Sequence, residues 1–152
     1  MRAADIARHQ PVAVRNWPRP EGTRHDLAHP TLRPSVVMTA SSAIDQSAPP
    51  TGAGCVECVA NSGWWLHLRR CAACGHIGCC DTSPSQHASQ HAALSSHPVA
   101  QSYEPDEDWF WDYPRGRFVS GLPLQAPTSH PRSQPVPGPA GAVPPDWQIQ
   151  LH

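Results

Sequence analysis

The sequence predicts a small, metal-stapled domain built of short strands and one helix. Three observations carry that reading. Proline makes up 19 of 152 residues, and eight of these fall in 121–152, a density that denies the backbone the donors and dihedral angles of packed elements. All six cysteines lie between Cys55 and Cys80, with His87, His91 and His97 close behind. Through the same stretch, short apolar runs of strand type are broken by a single helix-start signal.

The organisation follows. Residues 1–51 read as a disordered extension and linker, 52–120 as the folded domain, and 121–152 as a Pro-rich disordered tail. A domain of about 70 residues buries too little apolar surface to stand without a staple, and it is too small for a Rossmann fold or a barrel. No apolar run reaches membrane-spanning length. The opening residues lack an apolar signal core, so a cytoplasmic location and metal rather than disulfides are expected. Every basic residue is Arg, in keeping with a GC-rich bacterial coding bias. Met38 is a possible alternative start. Residues 1–37 carry net +3 and residues 38–120 net −4, so the Cys-rich domain is acidic and poorly suited to a phosphate backbone. Deleting 1–37 and 122–152 is expected to leave zinc content and melting unchanged.

The elements can be justified in order. Pro49-Pro50 and Gly52 to Gly54 are linker. Trp64 to Arg69 alternates bulky apolar residues with others and predicts a strand. Cys71-Ala-Ala-Cys74-Gly75 is a metal-type turn, and His76 to Cys79 is short and extended. Ser83 as N-cap, Pro84 at N1 and Gln86 at N3 predict a helix through His87 and Leu94 to about Ser96. Pro98 keeps His97 out of helical geometry. Val99–Tyr103 is a further strand. Glu104 to Asp108 is an acidic turn, and Trp109–Tyr113 with Gly116–Val119 forms a closing hairpin.

Eight residues have the types and spacing of zinc ligands: Cys55, Cys58, Cys71, Cys74, Cys79, His87, His91 and His97. Thiolates and imidazoles suit Zn²⁺ better than hard cations, and eight ligands fill two tetrahedral sites. Only one of the adjacent Cys79 and Cys80 can point at a given metal, and Cys79 is favoured. His67 and His76 read as ordinary strand or turn residues. Spacing alone leaves the pairing open, and its simplest form puts His87 and His91 on one metal, since they share a helix face.

The run Cys74-Gly75-His76-Ile77-Gly78-Cys79, followed by His87-x₃-His91-x₅-His97-Pro98, resembles the UBP-type zinc finger, a ubiquitin-binding domain found in some deubiquitinases. The likeness covers about residues 55–120 and is closest to short bacterial members. It implies an α+β fold in which a small antiparallel sheet packs on the His-bearing helix. It also implies two interleaved zinc sites, Cys55, Cys58, Cys79 and His87 in one, Cys71, Cys74, His91 and His97 in the other. A third site of larger members is not expected, because Asp112 stands where a late Cys would fall. Ubiquitin-binding members hold the free C-terminal diglycine with an Arg and a set of aromatics. Here Asp81 occupies the Arg place and Arg69 that of a pocket Trp, while Trp111 and Tyr113 match pocket aromatics.

The function expected is a structural zinc module that binds a protein or peptide, such as a chain terminus, through Trp109, Trp111 and Tyr113. Weak or no binding to the ubiquitin tail is expected, because Asp81 would face its carboxylate. Arg69 and Arg70, fixed in direction by their strand, are not expected to replace the missing Arg. The alternative is a thiol-based redox or metal sensor using Cys80. An enzyme is not expected, since all eight ligands are spent in closed sites. Nucleic acid is not expected either, since the His-bearing helix carries no Arg or Lys for base edges.

Overall fold

A computed structural model describes residues 43–151, which belong to one compact unit. Residues 1–42 of the extension and linker expected over 1–51, with the Met38 start, lie outside the described residues. The elements run α1 (Val56–Ala60), β1 (Leu68–Cys71), β2 (Ile77–Cys79), α2 (His87–Ser95), β3 (Val99–Ser102), β4 (Phe110–Asp112) and β5 (Arg117–Val119), with a 3-10 turn at Trp147–Gln150. No helix among the described residues is long and apolar enough to cross a membrane.

The strands form one antiparallel sheet in the order β2-β1-β3-β4-β5. Arg69 lies opposite Ser102, Cys71 opposite Ala100, Ala100 opposite Trp111, and Trp111 opposite Phe118. Side chains alternate along a strand, so these residues share one face. Leu68, Arg70, Ile77, Val99, Phe110 and Val119 share the other.

Helix α2 covers the first face with its buried Ala88 and Ala92. The approach is close enough that a Cβ on Gly78 would lie 2.6 Å from the Ala88 nitrogen. The helix starts later than Ser83, the expected N-cap. Its N-cap is Gln86, in the left-handed region at φ 50° with no side-chain cap. The first helical N–H, that of His87, instead points at Cys79 Sγ at 3.3 Å. Ser83 is fully buried, and its hydroxyl accepts the Leu66 N–H at 2.9 Å. The hydroxyl is consumed in holding the entry to β1, and a sulfur serves the helix end.

The second face is closed by segments at either end of the domain. Ala43, Ile44 and Leu124 pack with Ala72, Val99, Phe110 and Val119. Arg70, fully buried, donates to the carbonyls of Gln125, Pro127 and Ala48, and burial pulls its pKa down. The N-terminal segment also pins the β1–β2 turn: Asp45 N donates to Ala72 O, Thr51 N to Gly75 O, and Ile77 N to the Thr51 hydroxyl.

Residues 121–151 therefore differ from the tail without fixed structure expected of their Pro content, and residues 43–51 are more than linker. The physical reason lies in the sheet, which has two faces and only one helix. Proline lacks an N–H but keeps its carbonyl, so a Pro-rich chain can still pack apolar rings and satisfy a buried guanidinium. The strand expected from Trp64 begins only at Leu68. Trp65 pairs instead with Gly138 of the tail, exchanging two backbone hydrogen bonds of 2.8 and 2.9 Å, and Trp64 meets Trp147 edge-on. The expected third strand and closing hairpin are present as β3, β4 and β5, and α1 is a short helix around the first CxxC pair.

Candidate metal centre

Two groups of ligand-type side chains assemble around the sheet, each with its ligand atoms within 4.8 Å of one another: Cys55, Cys58, Cys79 and His87, and Cys71, Cys74, His91 and His97. Each draws on separated pieces of chain. In the first, α1 and its N-cap supply Cys55 and Cys58, β2 supplies Cys79, and the first turn of α2 supplies His87. In the second, β1 and its turn supply Cys71 and Cys74, α2 supplies His91, and the segment after the helix supplies His97. His87 and His91 share a helix yet go to different groups, the pairing that the family likeness implies rather than the simplest one.

The donor set fits zinc in geometry as well as in kind. Bond lengths of about 2.3 Å to sulfur and about 2.0–2.1 Å to nitrogen give tetrahedral edges of about 3.8 Å between sulfurs and about 3.5 Å between sulfur and nitrogen. In the first group Cys58 and Cys79 Sγ are 3.9 Å apart, and His87 Nδ1 lies 3.2, 3.4 and 3.4 Å from the sulfurs of Cys55, Cys58 and Cys79. In the second, Cys74 Sγ is 3.4 Å from His91 Nε2. Each group offers four protein ligands, the complement of a closed structural site.

The electrostatics are those of crowded ligands. Hydrogen bonds from Cys55 and then Cys58 hold the Cys79 thiol well below its ordinary range, while contacts with Cys55 and then Cys79 push Cys58 up. Burial raises Cys71. His91 is lowered by burial and then by its neighbours His76 and His97, which favours the neutral ring that binds metal. His76 is no ligand, but it stacks flat on His91, with centroids 4.1 Å apart, and its Nε2 meets Glu57 Oε1 at 2.8 Å. The other Glu57 oxygen lies 3.6 Å from Cys55 Sγ, so this carboxylate links a ligand of the first group to the His76 ring that stacks on His91 of the second. Nothing in the CxxC spacing signals that link.

Beside the metal groups the helix-bearing face of the sheet opens into a cavity of about 180 Å³. Trp109, Trp111 and Tyr113 all line it, joined by Phe118 from β5. Phe118 meets Trp109 and Trp111 edge-on at 5.5 and 5.1 Å and is 66% exposed. Its membership was legible in the hairpin, which sets it across from Trp111. Arg69, Cys80, Asp81 and Thr82 complete the lining. The expectation that strand direction keeps Arg69 away from this site is corrected: alternation along β1 aims it onto the face that carries Trp111, and sends Arg70 to the opposite one. Arg69 lies over the Trp109 ring, its guanidinium carbon 4.5 Å from the centroid. Cys80 is buried, with its sulfur 3.0 Å from the Thr82 hydroxyl and 3.2 Å from that of Ser83. Burial, and then the Asp81 carboxylate, push the Tyr113 hydroxyl up. Asp112, on the other face, is fully buried and paired with Arg115 at 2.6 Å.

Comparison with known proteins agrees with this geometry. Residues 55–124 match the family model described as the Zn-finger in ubiquitin-hydrolases and other protein. No curated protein matches the chain. Among solved structures, the solution NMR structure of protein RPA1320 from Rhodopseudomonas palustris is similar, with 36% identity over 60% of this chain and 86% of that one and a TM-score of 0.48. By the family match, residues 55–124 are a UBP-type zinc finger.

Proposed function

We propose that this protein holds two structural zinc ions and uses the sheet they brace as a binding module for a protein or peptide. The observation that carries the reading is the gathering of eight thiol and imidazole groups into two fours with the edge lengths of a zinc tetrahedron. Zinc bound there supplies cross-links between α1, the sheet and α2 in place of a large core. Cys55, Cys58, Cys79 and His87 fix the start of α2 to β2; Cys71, Cys74, His91 and His97 fix its middle and end to β1. The pocket of Trp109, Trp111 and Tyr113 then has a rigid floor, which lowers the ordering cost of binding a peptide.

Metal content of the full chain tests the metal reading. Two zinc ions per chain are expected, with one lost in Cys74→Ser or His91→Ala, and chelation should unfold the domain, a loss of several kcal/mol, on the order of a small domain's whole stability. A folded and cooperative metal-free protein, or a stoichiometry other than two, refutes it. The free tail of ubiquitin is expected to bind weakly, because Asp81 stands at the pocket where family members carry a carboxylate-binding Arg.

A further inference from the structure

We propose that the aromatic pocket receives a basic side chain, the guanidinium or ammonium of an Arg or Lys within a partner peptide. The inference rests on the peptide-binding reading above and names the chemistry of the ligand. It begins with Asp81. Among the described residues its carboxylate has no ion pair and no hydrogen bond; only its backbone carbonyl is engaged, by the Gln86 amide at 2.9 Å. An exposed, unpaired Asp is ordinary on a surface. This one lines a cavity whose aromatic walls are Trp109, Trp111, Tyr113 and Phe118. A carboxylate beside aromatic faces is the arrangement that attracts a cation, through charge and through the ring quadrupoles.

The pocket's own cation does not fill that place. Arg69 is held on Trp109 and donates to the Leu68 carbonyl at 2.8 Å and the Ser102 hydroxyl at 3.3 Å. Ser102 in turn donates to Glu107 at 2.5 Å, so the guanidinium is tied to an acidic loop through one hydroxyl. Its presence covers the Trp109 face and leaves the remaining three rings to a ligand. The volume of about 180 Å³ is that of one long side chain rather than a folded surface. A peptide presenting Arg or Lys brings the charge and the flat or slender apolar stem that such walls accept.

The test uses calorimetry on the full, zinc-loaded chain with end-blocked hexapeptides that differ at one central position, Arg, Gln or Glu, and a fourth peptide ending in free Leu-Arg-Gly-Gly. The Arg peptide should bind at least tenfold more tightly than the Gln peptide, and the Glu peptide most weakly. Asp81→Asn should erase the Arg-over-Gln ratio while the zinc content stays unchanged, and Phe118→Ala should weaken binding of both the Arg and the Gln peptide. Equal binding of the Arg and Gln peptides, or a ratio that survives Asp81→Asn, overturns the basic-ligand proposal alone. Preference for the peptide with the free diglycine end, independent of its Arg, overturns it in favour of carboxylate capture. Failure of all four peptides to bind overturns the peptide-binding reading together with it.

Discussion

Gly75 follows the second CxxC pair at φ +75°, a conformation that glycine adopts freely and other residues do not. A Cβ there would fall 1.8 Å from the Pro49 carbonyl oxygen, so Gly75→Ala meets both backbone strain and a clash with backbone, which cannot swing aside. We expect a loss of at least about 2 kcal/mol, read as a thermal midpoint lower by about 10 °C. Glu104 is the second residue whose setting decides something. One oxygen accepts the Leu68 N–H at 2.7 Å; the other lies 2.9 Å from His130 Nε2 and 3.6 Å from His67 Nδ1. Burial alone would raise its pKa, but the nearby His67 ring and the bonds from His130 and the Leu68 N–H outweigh that and bring it down from 4.5 to about 2. A depressed carboxylate stabilises the fold above its ordinary pKa and loses that contribution as pH falls through the folded value. The stability gap between the native protein and Glu104→Gln, measured by urea unfolding, should therefore be full at neutral pH and narrow as pH falls from about 5 toward about 2. A gap independent of pH over that range would contradict the ionised, hydrogen-bonded Glu104.

At the scale of elements, the segments that close the second face of the sheet matter most. Ending the chain after Gly121 removes Leu124 from the core, two carbonyl acceptors from Arg70, His130 from Glu104 and Gly138 from Trp65. A buried guanidinium that keeps only the Ala48 carbonyl of its three acceptors is destabilising. The shortened chain should bind its metal yet melt well below the full chain, opposite to what the sequence alone led us to expect; an unchanged melting temperature would show that the tail contributes nothing. The reason this was hidden is physical. Metal ligands, helix and hairpin each announce themselves locally, by Cys-x-x-Cys spacing, by i, i+4 histidines, by alternation on either side of Pro114. The cover of the second face has no period. It consists of single residues, Leu124, Pro127 and His130, whose roles exist only relative to a sheet more than 50 positions away in Arg70. The same holds for the helix start. Ser83 and Gln86 spell a capping box, but Ser83 is claimed by Leu66, and no local pattern reports a distant competitor.

For the whole molecule, the division of labour between the two faces governs the order in which the fold can be completed. Both metal groups, and the helix-bearing face with its pocket, are encoded between Cys55 and Phe118. The opposite face waits for Leu124 and His130. During synthesis, at about 5–20 residues per second, the amino-terminal part of a domain emerges first. The last ligand, His97, clears the ribosome well before the tail does. Metal bound at that stage would brace the sheet while Val99 and Phe110 still lack the cover of Leu124. When the Pro-rich stretch arrives, Leu124 caps Val99 and Phe110, so the cover for that apolar surface is carried by the same polypeptide.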